Sequence, residues 1–503
     1  MKYGFLIDQR KCIGCHACTV ACKQENEVPL GVFRTWVKYI EKGSFPDTTR
    51  RFSVLRCNHC DDAPCIAICP TQALFKRDNG IVDFDSSRCI GCKACMQACP
   101  YDALYIDPVT ETAAKCNFCA HRVDVGLKPA CEIVCPTQAI LSGDLDDPHS
   151  RISQLISREP VQVRKPEQGT LPKLFYIDGD SVALTPTASP PQRTYMWAEP
   201  KPTGAEGDYL AEAETVARAR TVYNVSHPRP WGFMVSLYLW TKSIGAGALL
   251  CAAILWALGH TNSNLFGLAA PVLALLFTGL TTALLVLDLK HPERFHYILL
   301  KPNWTSWLVW GAYILMAFSA FAVAWGAAAW LHSSLLAWLI APVIILAAAA
   351  AAYTGFLFGQ AEGRDFWQSP LLPGHLVAEA LLAGSAALLL IGLFVSPALL
   401  GPLIAVFLVG LGLHAAAMLA EVTVPHANTE AATAARLVRQ GPFRERFWVG
   451  TLAAGVALPA ALALLRLVTG ASGLAALGAI VALAGLLLWQ DVFVKAGQAV
   501  PLS

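Results

Sequence analysis

Beyond residue 135 this 503-residue chain contains one cysteine, Cys251. That residue sits in an apolar run, where a thiol behaves as a small core hydrophobe. The N-terminus, MKYGFLIDQRKC, has neither an apolar signal core nor twin arginines. An exported, disulfide-stapled protein is therefore not expected. Up to about residue 228 the chain has no apolar run of spanning length and is charged and proline-rich. After that point charge is what becomes scarce.

Sixteen of the seventeen cysteines lie in the first 135 residues, in four groups of four. They are Cys12, Cys15, Cys18 and Cys22; Cys57, Cys60, Cys65 and Cys69; Cys89, Cys92, Cys95 and Cys99; and Cys116, Cys119, Cys131 and Cys135. Each group opens with C-x2-C and closes with C-x3-C. The first and third read C-x2-C-x2-C-x3-C throughout, and Pro70, Pro100 and Pro136 follow three of the four closing cysteines. This is the ligand run of a bacterial-type cubane iron–sulfur cluster. Three closely spaced thiolates wrap one corner of a cubane, and the distal one points to a neighbouring cluster, so groups work in pairs. Zinc sites space their CxxC pairs more widely. The fourth group alone would suit zinc; the other three would not. Sixteen thiolates at four per cluster predict four [4Fe–4S] clusters and hence electron transfer.

The second half contains eight apolar runs, roughly 231–259, 265–288, 304–331, 335–360, 375–394, 399–423, 447–470 and 471–494. Each meets the roughly 20-residue requirement for crossing a bilayer. An even number places both ends of the domain on one side. The loops there carry Lys290, Arg294, Lys301, Arg364, Arg436, Arg439, Arg444, Arg446 and Lys495, against little beyond Arg466 opposite. The positive-inside rule then puts the N-terminal side in the cytoplasm. Docking of these basic loops onto an acidic face of the cysteine-rich half, or onto a partner, is the competing explanation.

Residues 1–160 read as the cysteine-rich domain, 161–228 as a Pro-, Gly- and Thr-rich tether, and 229–503 as the membrane domain. Within the first, VDFDSSRC (82–89) and ALYIDPVTET (103–112) read as strands leading into turns, and a helix is expected to begin near Pro148 or His149.

The N-terminal half, with its four cysteine groups and the tail GDLDDPHSRISQLI, resembles the four-cluster subunits of dimethyl-sulfoxide and polysulfide reductase complexes. The C-terminal half resembles the NrfD/PsrC family of eight-span quinone-interacting subunits, through DLKHPERF (288–295) and SLYLWTKSIGAGA (236–248). The resemblance implies an α+β double-ferredoxin-like domain followed by an all-α eight-helix transmembrane bundle. It also implies four ligand sets: Cys12, Cys15, Cys18 and Cys135; Cys22, Cys116, Cys119 and Cys131; Cys57, Cys60, Cys65 and Cys99; and Cys69, Cys89, Cys92 and Cys95. Some relatives replace one cysteine by tryptophan; this chain does not. Lys23 stands where the other groups have proline, a difference expected to alter packing rather than ligation.

Ionisable residues at membrane depth are functional candidates by default. Lys242 lies in the first run, Asp288 ends the second, and His291, Glu293 and Arg294 follow it. Glu379, His414, Glu421 and Asp491 lie in the fifth, sixth and eighth. Lys242, Asp288, His291 and Arg294 are the candidate ligands of a menaquinone or ubiquinone, in a site among the first four runs. The structural alternatives are a buried Lys242–Asp288 ion pair, interface roles for Glu293 and Arg294, and packing roles for Tyr353 and Thr354. Haem is not expected, because only His414 lies clearly deep while His227, His291, His296 and His375 fall near the ends.

The expected function follows. This is an electron-transfer and anchor subunit in a bacterial inner membrane, its clusters on the cytoplasmic face. It links quinone to a separate molybdenum or tungsten bis-pterin catalytic subunit, and by itself it is not catalytic towards the primary substrate. No nucleic-acid partner is expected. The alternatives are a redox-driven proton-translocating module, with a path beginning at Lys242, His414 and Glu379, and a passive membrane anchor.

Overall fold

The computed structural model describes residues 1–44, 46–188, 219–261 and 263–503. In the N-terminal half, Tyr3–Asp8 is one of the two inner strands of a four-stranded sheet. It pairs antiparallel with Ile140–Asp144 and parallel with Leu174–Ile177, which in turn pairs with Val161–Gln162. Both faces are covered, so YGFLID carries a continuous apolar run rather than an alternation. Phe5 stacks on Phe118 at 4.0 Å on one face. Leu6 packs on the other with Leu141, Ile152 and Ile177.

Ile152 belongs to the helix Arg151–Arg158, capped by Ser150, whose side chain accepts from the Ser153 amide. The helix thus begins later than Pro148 or His149. Asp147 Oδ1 takes the His149 amide at 2.9 Å and holds that stretch in a turn.

The expected strands are present but short. Val82–Phe84 pairs with Leu74–Lys76, and Leu104–Ile106 pairs with Ala113–Lys115. Asp85 ends the first by accepting from both the amide and the hydroxyl of Ser87. A long hairpin, Thr35–Ser44 with Asp47–Arg56, takes Ala219–Tyr223 as its third strand. The stretch read as a tether therefore supplies three strands to the N-terminal half. The reason lies in partners distant in sequence: LFYI (174–177) seats between Tyr3–Asp8 and Val161–Gln162, and ARTVY (219–223) along Thr35–Ser44. Residues 189–218 lie outside the described residues.

The C-terminal half has eight helices long and apolar enough to cross a membrane. In order they are Phe233–Ala257, Leu265–Leu287, Trp307–Trp330, Leu335–Gly359, Leu372–Val395, Pro397–Thr423, Arg446–Thr469 and Ser472–Gly497. They agree with the eight runs to within a few residues. The first and fifth are central; in their most apolar windows 83% and 72% of residues are buried, against 28–39% for the others. They cross where Gly247 faces Gly384, and a Cβ on either would collide with the other helix's backbone. Between the sixth and seventh spans a helix, Thr429–Arg439, is capped by Asn428.

One hydrophobic core runs through both halves. The seam is polar. Side chains of the membrane half cap carbonyls of the cysteine loops: Asn303 on Ile66 and Cys69, Thr305 on Ala67, Ser306 on Ile68. Gln97 bonds Gln498 at 2.6 Å and accepts from Arg364 at 2.8 Å.

Candidate functional site

The ligand loops turn on left-handed residues. Gly14 and His16 (φ +70° and +61°) match Gly91 and Lys93 (+69° and +64°) in the repeated C-I-G-C-x-A-C run. Gly91 has a second reason to lack a side chain, because a Cβ there would strike Lys290. These turns bring the cysteines together four by four. One cavity is bordered by Cys12, Cys15, Cys18 and Cys135, and a second by Cys22, Cys116, Cys119 and Cys131. A third is bordered by Cys57, Cys60, Cys65 and Cys99, and the last by Cys69, Cys89, Cys92 and Cys95. The cavities form a series, with Cys18 acting electrostatically on Cys131, Cys116 on Cys57, and Cys65 on Cys95.

The donor chemistry of each cavity suits a [4Fe–4S] cluster. Backbone amides point at sulfur: Gly91 and Ala113 at Cys89 (3.4 and 3.3 Å), and Ala139 at Cys135 (3.2 Å). Burial pushes the Cys92 and Cys116 thiols up to about 12, and Cys18 and Cys99 up to about 11. Thiolates buried in this way need positive charge beside them, which the iron of a bound cluster would supply in place of their protons. Arg56 is fully buried, donates to Cys131 Sγ at 3.0 Å and lies 4.5 Å from the Phe5 ring centroid. Its Nε and second terminal nitrogen have no partner. A buried cation with unused donors is the complement of an anionic cluster. Sequence reading passed over Arg56, since one arginine in a strand carries no motif.

Lys23 bonds the Pro29 and Val32 carbonyls and lies over the Phe33 ring at 4.4 Å. It locks a loop, as expected of a packing substitution.

A cavity of about 440 Å³ opens among the first four spans, with Cys92 at its edge. Its walls are mostly apolar, with Tyr238, Thr282, Asp288, Ser319 and Tyr353 as polar groups and Trp231 beside Cys92. Trp231 Nε1 donates to the Cys92 carbonyl at 3.4 Å. Cys92 thus borders both this cavity and the last of the cysteine cavities.

Of the four candidate quinone residues, Asp288 lines this cavity and the other three do not. Lys242 sits behind Tyr353, 4.8 Å from the ring centroid, and donates to the Ala351 carbonyl (2.8 Å) and the Thr354 hydroxyl. The alternative Lys242–Asp288 ion pair does not form. Asp288 ends its helix at the cluster side and pairs with Lys93 at 3.0 Å. Lys242 lies nine residues into the first helix, about 13 Å deeper by helical rise. Tyr353 and Thr354, for which packing was the structural alternative, are the side chains that Lys242 touches, and Tyr353 also lines the cavity. His291 bonds Glu293 and the Thr110 carbonyl, both at 2.9 Å, and Arg294 donates to the Ser86 and Cys89 carbonyls at 3.0 Å. Both hold the seam rather than the cavity. Lys290, too, reaches Glu111 at 3.0 Å, so part of the positive loop bias is docking charge.

His375, expected near a helix end, is buried against His414 at 2.9 Å, with Glu379 and Glu421 beside them. Lys242 makes no direct contact with this group, although Glu379 acts on it electrostatically. Asp491 pairs with Lys495 at 2.7 Å.

Comparison with known proteins matches residues 221–501 to the family described as "Polysulphide reductase, NrfD", residues 49–145 to a 4Fe-4S dicluster domain, and residues 3–24 to a 4Fe-4S binding domain. The N-terminal half is similar to a tetrathionate reductase subunit of Salmonella typhimurium (46% identical over 202 residues, 39% of this chain and 80% of that protein). It is similar to a polysulfide reductase polypeptide of Wolinella succinogenes (44% over 181 residues, 35% and 94%). A third relative is the arsenate respiratory reductase iron-sulfur subunit ArrB of Shewanella sp. strain ANA-3 (38% over 228 residues, 35% and 96%).

Proposed function

Because this protein belongs to the NrfD polysulphide reductase family and carries its own 4Fe-4S dicluster domain, we propose that it passes electrons between membrane quinone and a separate molybdenum or tungsten bis-pterin catalytic subunit. The relatives are subunits of tetrathionate, polysulfide and arsenate reductases, so a catalytic partner is in keeping with them. Four [4Fe–4S] clusters, when bound by the sixteen cysteines in the four cavities, supply one-electron redox chemistry.

The observation that carries this reading is the double role of Cys92, which borders a cluster cavity and the 440 Å³ cavity. A quinone head in that cavity lies beside a cluster ligand, and its tail leaves between lipid-exposed helices. Asp288, Thr282, Ser319, Tyr238 and Tyr353 offer the hydrogen bonds its carbonyls need. At the far end of the series Cys15 is exposed, the edge open to a partner. The domain lies in a bacterial inner membrane with its clusters facing the cytoplasm, a placement supported by the basic loops.

The test is quinol oxidation by the purified protein. Addition of quinol is expected to reduce the clusters, seen by electron paramagnetic resonance, and Ser319→Phe is expected to block it. Four loaded clusters that quinol never reduces would defeat the quinone reading; fewer than four reducible clusters would defeat the cluster assignment. Protease accessibility in spheroplasts against inverted vesicles tests the orientation.

A further inference from the structure

A second polar centre lies apart from the cavity, among the fifth, sixth and eighth spans. His375 and Glu379 stand one turn apart on the fifth span and so share a face. His414 approaches from the sixth span, and seven residues on, along the same face, comes Glu421. All four side chains are 1–3% exposed. His375 Nε2, His414 Nδ1 and Glu379 Oε1 converge, with separations of 2.9, 3.6 and 3.9 Å.

From this convergence we propose that His375, Glu379 and His414 form a binding site for a divalent transition-metal ion, with zinc the best match. Two imidazoles and one carboxylate are a common zinc set, bound at roughly 2.0–2.2 Å in tetrahedral geometry. Tetrahedral bonds of that length set donor atoms about 3.4 Å apart, within the 2.9–3.9 Å span of the three separations. The outer groups point the same way. Glu421 Oε2 lies 3.0 Å from His375 Nδ1, which turns Nε2 towards the other two donors. Gln490 donates to Glu379 Oε2 at 2.8 Å and leaves Oε1 on the inner side. A carboxylate behind a ligating histidine is the usual support of a metal site. Both Glu421 oxygens are buried without a hydrogen bond, Oε2 having only its ion-pair contact with His375 Nδ1, and two carboxylates in a bundle interior call for positive charge. The ring of Trp489, 6.0 Å from that of His375, walls the site. A bound ion would tie the fifth and sixth spans together, with the eighth joined through Gln490, in the half of the bundle away from the quinone cavity.

The test uses the full chain, purified with its clusters from zinc-replete cells. Elemental analysis is expected to give about one zinc per molecule in addition to the iron. X-ray absorption at the zinc edge is expected to show nitrogen and oxygen neighbours near 2.0 Å; sulfur near 2.3 Å would mean zinc on cysteines and would overturn the site. His414→Gln is expected to abolish the zinc. Glu421→Gln, which keeps shape and fold, is expected to weaken it about 10- to 100-fold. A cluster-loaded protein without zinc, or zinc retained in both variants, overturns the proposal.

Discussion

Lys93 places its ammonium 3.0 Å from the carboxylate of Asp288, 195 residues away, with both side chains largely shielded. Lys93 follows Cys92 in a ligand loop, and Asp288 ends the second span at the wall of the large cavity. A shielded pair holds position better than a surface pair, because neither group is fully hydrated. The link is expected to set how the last cysteine loop sits over the cavity. Lys93→Met and Asp288→Asn should each slow quinol-dependent cluster reduction. Their double variant should be less than additive, with a coupling of roughly 0.5–3 kcal/mol. Additive losses in stopped-flow reduction would show that the pair plays no joint part.

Ser319→Phe adds a ring to the wall of the 440 Å³ cavity without touching any cysteine. Its expected effect is a fall of at least about tenfold in kcat/KM for quinol, or about 1.4 kcal/mol. The cluster signals should be unchanged. Normal turnover in steady-state assays would place quinone elsewhere.

Arg56→Met removes a buried positive charge beside Cys131 while keeping much of the volume. Hydrogen bonds to sulfur and nearby positive charge favour the reduced, more negative cluster. The variant should therefore lower the potential of the cluster bordered by Cys22, Cys116, Cys119 and Cys131. A redox titration followed by electron paramagnetic resonance checks this, and an unshifted midpoint would deny Arg56 any tuning role.

Burial, helped by Arg164 and Lys165, pushes the Lys38 ammonium down to about 7. An unfolded lysine titrates near 10.4, so between about pH 7 and 10 the unfolded state binds the extra proton. Stability should thus rise as pH climbs through that window, and the penalty is full below pH 7. Lys38→Met should stabilise the N-terminal half at neutral pH, by on the order of a few kcal/mol, and flatten the profile. Urea-induced cluster loss followed by absorbance from pH 6.5 to 9.5 tests it; parallel profiles for the two proteins would refute the assignment.

Gly247→Ala places a methyl group where the first and fifth spans touch, whereas Gly401 has open space around it. Overpacking of this kind costs about 1–3 kcal/mol. The detergent-solubilised variant should melt at a lower temperature than the parent, and Gly401→Ala should match the parent. Equal melting of both variants would contradict the crossing.

The four cysteine groups and the eight spans were legible because each rests on a short-range pattern, a ligand spacing or an unbroken apolar run; which groups share a cavity was implied only by the family resemblance. Their three-dimensional setting was not. Nothing near Asp288 in the chain points to Lys93, and nothing in the sequence singles out Arg56 or Lys38 until the fold buries them. His375 looked terminal because helix ends were judged from apolarity. The helix in fact begins at Leu372 and packs centrally, so a residue in its first turn is buried. The strands of the tether were not legible for a related reason: four-residue strands such as Leu174–Ile177 gain their stability from partners distant in sequence.

The seam also orders the steps of biogenesis. Asn303, Thr305 and Ser306 close over the carbonyls beside Cys69, and Arg294 and Trp231 over those of Cys89 and Cys92. The Cys12 loop, by contrast, keeps Cys15 at the surface. Assembly factors delivering iron and sulfide can reach the outer loop in the finished molecule, but the inner one only before the two halves come together. If a cluster fills that inner cavity, its insertion is expected to precede docking, and a chain docked first is expected to keep the cavity unfilled.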